Sequence, residues 1–134
     1  MTNKHHTTTG LQTAVRLLGK WGANNEQGTA ILRVSPDTYS PAKRCEPEWQ
    51  VNLDDDQLTR ISYLLNIHAA LQLIFDAPSD VYGFMSMANH NDSFNGRSPL
   101  DVIAQGGLTE LREVWLHVNM LRPVVIGDEG RVNL

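Results

Sequence analysis

The sequence predicts an all-α protein. Three observations carry that reading. Apolar residues recur at helical spacing in several segments, Ser, Asn or Asp caps stand at segment starts, and no stretch alternates apolar and polar residues for long enough to make a firm strand. About seven helices are expected. They would form an N-terminal helix-turn-helix-like bundle over 11–76 and a small helical domain over 77–122, with 1–10 a flexible N-terminus and 123–134 a C-terminal tail.

The first helix is expected over roughly 10–21, because Leu11, Ala14, Val15, Leu18 and Trp21 lie on one stripe and Gly22 can stop it. A second, short helix over 25–32 follows, with Asn25 as its cap and Glu26 at the positive end of its dipole. Ser35 caps a third, and Pro36 suits its first position, where the N–H has no partner anyway. Pro41 leaves two possibilities open: a helix one turn long, or a restart with Ser40 as cap. Residues 45–53, with Pro47, look like an extended connector. Asp54 and Gln57 then spell a capping box, with Leu53 and Leu58 placed as a hydrophobic staple. From there Leu58, Ile61, Leu65, Leu71 and Phe75 mark an apolar face as far as Asp76, with Arg60 and Asn66 outside it.

Ala77-Pro78 ends that helix, and Ser79 is read as the cap of another over about 80–88. A polar loop spans 89–96, with Phe94 as a possible anchor. Ser98-Pro99 starts a short helix over 99–105, stopped by Gly106-Gly107. Leu108, Leu111, Trp115, Val118 and Leu121 line a last helix ended by Pro123. Val124-Val125-Ile126 is the best strand candidate in the chain, or else a tail that docks on something.

Composition excludes several classes. With 134 residues, 41% hydrophobic and 19% charged, the chain can support a core and is not expected to be globally disordered. No apolar run approaches the roughly 18 residues of a membrane span, and the N-terminus has no apolar signal core. Cys45 is the single cysteine, which excludes an internal disulfide and a CxxC zinc site and fits a cytoplasmic location. The net charge of −4 divides unevenly. Residues 1–53 hold six Lys/Arg against four Asp/Glu (+2), and 54–134 hold five against eleven (−6), a distribution suited to two partners of opposite sign.

Catalytic chemistry is not visible. Apart from the adjacent His5 and His6, no histidine pairs with another His, Asp or Glu at ligand spacing on one helix face, so no metal site is expected. Walker, GxGxxG and GxSxG patterns are missing, and no cofactor is expected. Cys45 follows Lys43 and Arg44 but has no histidine nearby in sequence. Asp54-Asp55-Asp56 is accounted for by helix capping, and His68 by a hydrogen-bonded place in the core. The protein is therefore expected not to be an enzyme.

The helix at 25–32, a short turn and the start at Ser35 have helix-turn-helix proportions. In that motif the first residues of the second helix reach base edges, which selects Asp37, Thr38, Tyr39 and Ser40, with Lys43 and Arg44 for phosphates. Arg33 stands at the turn position where glycine is often used for its left-handed backbone.

A second set of residues is more specific. Phe84-Met85, Asn89, the run Phe94-Asn95-Gly96-Arg97-Ser98-Pro99-Leu100-Asp101-Val102-Ile103 and Gly106-Gly107-Leu108 resemble the toxin-binding domain of Xre/MbcA/ParS-type antitoxins. That pattern is an aromatic–aliphatic pair, an Asn soon after, a Gly-Arg/Lys-Ser-Pro-Leu turn and a glycine before the last helix. The front half resembles the companion domain in 17–22, 31–35 and 58–71, and the likeness covers about 11–122. Phe84 stands where the family usually has Trp, and Ala88 where it often has Pro.

The resemblance implies a bacterial type II antitoxin, without chemistry of its own, that occludes a RES-domain toxin degrading NAD and binds its operon's promoter. It implies toxin contacts through Phe84, Asn89, Phe94, Gly96, Arg97, Ser98, Pro99, Leu100 and Asp101. Two residues of the tail, Val125 and Leu134, join them on a separate argument. An apolar stretch after Pro123 asks for cover, and Asp128, Glu129 and the Leu134 carboxylate could mimic the pyrophosphate of NAD in a positive groove. A homodimer is expected, since dimers read two half-sites. The alternative is a helix-turn-helix regulator of phage or plasmid type with no toxin partner.

Overall fold

A computed structural model describes residues 4–89 and 94–121. Among these there are seven α-helices and no strand: α1 (Lys4–Lys20), α2 (Asn25–Leu32), α3 (Pro36–Arg44), α4 (Asp55–Ile74), α5 (Pro78–Gly83), α6 (Pro99–Gln105) and α7 (Leu108–Met120), with a 3-10 turn at Phe84–Ser86. No described helix is long and apolar enough to cross a membrane. The tail residues Val125 and Leu134, the strand candidate at 124–126 and Pro123 lie outside the described residues.

The apolar stripe of α1 is buried as its spacing predicts, with Leu17 added. Its start is not where the sequence puts it. The segment 1–10 is helical from Lys4, and Thr7 and Thr8 are buried. Thr7 Oγ1 donates to the Val51 carbonyl at 2.7 Å, and Thr8 Oγ1 accepts from the Val51 N–H at 2.9 Å. These two bonds fasten the 45–54 connector along α1. Threonines are modest helix formers, so local propensity hides this turn and a contact 43 or 44 residues away stabilises it.

Three helices end in one device, the Schellman motif, in which a left-handed residue lets the next N–H reach back five residues. Gly22 (φ 90°) precedes Ala23 N–H to Leu18 O, Arg33 (φ 58°) precedes Val34 N–H to Thr29 O, and Cys45 (φ 51°) precedes Glu46 N–H to Pro41 O. Only the first uses glycine. The left-handed turn anticipated at position 33 is thus made by arginine itself.

The cap of α2 is Asn24, one residue before the expected Asn25. Its side chain accepts from Gln27 N–H at 2.8 Å while Gln27 Oε1 accepts from Asn24 N–H at 3.0 Å, and only Asn24 has a Gln three residues on. Ser35 caps α3 as expected, and α3 runs unbroken through Pro41, which settles the two possibilities left by that proline. The bond lost is to the carbonyl of Asp37, an exposed residue where water can replace it. Tyr39 and Ala42, both buried, hold the helix to the core. The start of α5 differs as well: Ala77, not Ser79, is its N-cap residue, and the helix gives way to the 3-10 turn at Phe84.

Asp54 and Gln57 form the expected capping box at the head of α4. The face of α4 is broader than its stripe suggested. Leu64, Ile67 and Ala70 are buried with Ile61 and Leu71, whereas Leu58, Leu65 and Phe75 are half-buried, because α1, α2, α5 and α7 all pack on this helix. Arg60 is mostly covered as well. Its Nη1 donates to the Ile31 carbonyl at 3.1 Å and its Nε to Asp56 at 3.0 Å. One continuous core includes Leu18, Trp21, Ile31, Leu64, Phe94, Ile103 and Val118. Residues on both sides of the boundary expected near residue 76 therefore contribute to one core.

Candidate functional site

The loop between the 3-10 turn and α6 is closed by its own backbone. Asn89 N–H donates to Arg97 O at 3.1 Å and Gly96 N–H donates to Asn89 O at 2.8 Å. This ties the two ends of the loop while Asn95 (φ 55°) and Gly96 (φ 85°) turn the chain through left-handed conformations. Ser98 Oγ then accepts from Asp101 N–H at 3.1 Å, capping α6 with Pro99 at its first position. Gly96, Ser98 and Pro99 of the Gly-Arg-Ser-Pro-Leu-Asp run thus each have a conformational task.

Burial separates the expected contact residues into two groups. Phe94 is 1% exposed, its ring edge-on to His117 at 4.9 Å, and Pro99 and Leu100 are buried too. Phe84 is half-buried and packs on Phe75 at 5.9 Å. Phe94, Pro99 and Leu100 support the loop from below, while Phe84 keeps part of its ring exposed. Asp101 is turned toward α2, where it accepts from Gln27 Nε2 at 3.4 Å. Arg97 and Asn95 are exposed, and Arg97 Nη1 donates to Gln105 Oε1 at 2.9 Å. Before them Met87 stands 65% exposed. The sequence reading passed over Met87, and only its exposure could have revealed it. Burial holds the pKa of His117 below its ordinary value, so its ring under Phe94 is neutral at pH 7.

The second candidate is the pair α2–α3, joined by the three residues 33–35. Here one expected base-reader is overturned. Tyr39 is 3% exposed, and burial pushes its phenol pKa up, since its ring lies against Gly28 of α2. A Cβ at position 28 would stand 2.6 Å from Tyr39 Cε1 and closer still to Cζ and Oη. Gly28 is what lets α3 approach α2. Thr38 and Ser40 are half-buried, and Asp37, Lys43 and Arg44 are exposed. Lys43 Nζ donates to Asn25 Oδ1 at 2.8 Å, and Arg44 pairs with Glu46.

Arg33 is fixed by two carboxylates, with Nη2 and Nε each 2.6 Å from Asp54 and Asp56. The hydrogen bonds that Arg33 donates to Asp56 and Asp54 raise the guanidinium pKa further. The Asp54 carboxyl is held below its usual range first by the Gln57 N–H and then by Arg33, and Asp56 first by Arg33. The aspartate run is therefore a cap and a clamp on the turn. Among the described residues, no group of three His, Cys, Asp or Glu is arranged to hold a metal ion.

Comparison with protein-family models, with curated proteins and with solved structures finds no match.

Proposed function

We propose that the protein is an antitoxin that binds and occludes a RES-type, NAD-degrading toxin and, through α3, its own operator DNA. The observation that carries this reading is the loop 84–98. Its sequence is the specific part of the likeness to Xre/MbcA/ParS-type antitoxins, and its described residues, 84–89 and 94–98, support a role in presenting a surface. Buried Phe94, Pro99 and Leu100 anchor it, two backbone bonds close it, and Met87, Asn95 and Arg97 project outward. A preorganised surface loses little conformational entropy on binding, and an exposed Met and an exposed Arg suit the anchor-and-rim pattern of protein interfaces.

DNA binding is supported by the helix–turn–helix spacing, by the +2 charge of the first 53 residues and by exposed Lys43 and Arg44. To meet a phosphate each would exchange an intramolecular contact, Lys43 with Asn25 and Arg44 with Glu46. A homodimer and a cytoplasmic bacterial setting belong to the same proposal. The test is co-expression with the adjacent gene product followed by affinity purification. A RES-domain protein that co-purifies with the wild type and not with Arg97→Glu supports the proposal, and one that ignores the tagged chain refutes it.

A further inference from the structure

Away from the loop and from α3, a cleft of about 140 Å³ opens where α1, α4 and α5 meet. Its walls are Leu17 and Leu65, with Tyr82 and His68 stacked on each other at 5.3 Å and 22°. Two cations stand at its edge. Lys20 Nζ lies 4.9 Å from the centre of the Tyr82 ring, and Arg16 donates only a long, 3.8 Å contact to Cys45 Sγ. Neither forms an ion pair among the described residues, and no carboxylate lines the cleft. His68 Nδ1 is buried with no hydrogen-bond partner among the described residues, contrary to the satisfied core histidine expected from sequence. Burial first, and then Lys20, lower its pKa, so the ring adds no third positive charge at pH 7.

The cleft thus combines apolar walls, two uncompensated cations and one orphaned nitrogen. A dry apolar cavity of about 150 Å³ holds one benzene-sized ring, which sets the size of an occupant. The charge sets its sign. We infer that this cleft binds a small aromatic monocarboxylate, its ring against Leu17, Leu65 and Tyr82 and its carboxylate between Arg16 and Lys20. A planar, singly charged ligand matches the apolar floor and the cationic rim together. A bare anion meets only the rim, and a neutral ring only the floor. The site joins α1 and α4 to α5, so its occupant would bridge the two halves of the chain.

Benzoate is the probe. Amide spectra of the full chain titrated with benzoate, benzyl alcohol and acetate separate the contributions. Saturable shifts clustered at Leu17, Leu65, His68 and Tyr82, with benzoate at least tenfold tighter than either control, are the expected result. Arg16→Met and Lys20→Met, both at exposed positions, should each weaken benzoate about tenfold, the loss of one charge-assisted contact, while the spectrum stays folded. Shifts absent at about 10 mM benzoate, acetate binding as tightly as benzoate, or variants that bind like the wild type would each overturn the inference.

Discussion

Gly28→Ala opposes local propensity to tertiary packing. Alanine is the better helix former by about 0.8–1 kcal/mol, so α2 alone would gain from the change. In the folded protein the new methyl would stand 2.6 Å or less from three atoms of the Tyr39 ring, and that ring is 3% exposed. Buried, it cannot swing aside as an exposed side chain would. Overpacking of this kind costs about 1–3 kcal/mol, and expelling the ring would cost about 3–5 kcal/mol by analogy with large aromatic truncations. After the helix-propensity gain is subtracted, overpacking leaves a net loss of up to about 2 kcal/mol and expulsion of the ring about 2–4 kcal/mol, so a net destabilisation of about 2 kcal/mol is expected. Urea unfolding followed by circular dichroism measures it as a lower midpoint at unchanged slope. The partner experiment uses Tyr39→Ala, in whose background Gly28→Ala should be neutral or stabilising by up to about 1 kcal/mol. A Gly28→Ala protein as stable as the wild type, or one destabilised equally in both backgrounds, would refute the close approach of α2 and α3.

Cys45→Gly should stabilise the fold by about 0.5–1 kcal/mol, because relief of a left-handed backbone at φ 51° exceeds the extra entropy of glycine in the unfolded chain; thermal unfolding reads it. Acid should weaken the fold in two stages. His68 and His117 have folded pKa values below 6.5 and bind fewer protons when folded, so stability present above that pH declines below it; Asp54, Asp56 and Glu110, also lowered, add a further loss below about pH 4. Urea midpoints at pH 7, 5.5 and 4 should fall in that order, and a midpoint that rises on acidification contradicts the assignment. The double variant Lys43→Ala/Arg44→Ala should lower DNA affinity across sequences and flatten its salt slope by about two phosphates, measured by fluorescence anisotropy; an unchanged slope places the DNA contact elsewhere.

Much of the local chemistry was legible in the sequence, although the Asn24–Gln27 box was read one residue late and the start of α5 two residues late. The Asp54–Gln57 box, the Ser35-Pro36 and Ser98-Pro99 starts and the stripe of α1 all act within one or two turns. Features set by distant contacts were not. The first turns of α1 depend on Val51, the burial of Arg60 on the Ile31 carbonyl, and the inward turn of Tyr39 on a glycine eleven residues earlier. The site shows the same split. The motif at 96–101 could be read as a turn and a cap, but a linear pattern does not say that Phe94, Pro99 and Leu100 face the core while Met87 faces out. Arg33 is the most instructive case. Its place in the turn was visible as a missing glycine, and the compensating carboxylates lie 21 and 23 residues further along.

Occlusion of an NAD-degrading partner is measured most directly with the purified RES-domain protein and this chain mixed at increasing ratios while NAD consumption is followed. The account predicts that NAD turnover falls to background near stoichiometric addition of the wild type. Arg97→Glu, folded by circular dichroism, should need at least a tenfold excess, the loss of about 1.4 kcal/mol of binding. NAD consumption undiminished by a large excess of the wild-type chain would contradict it.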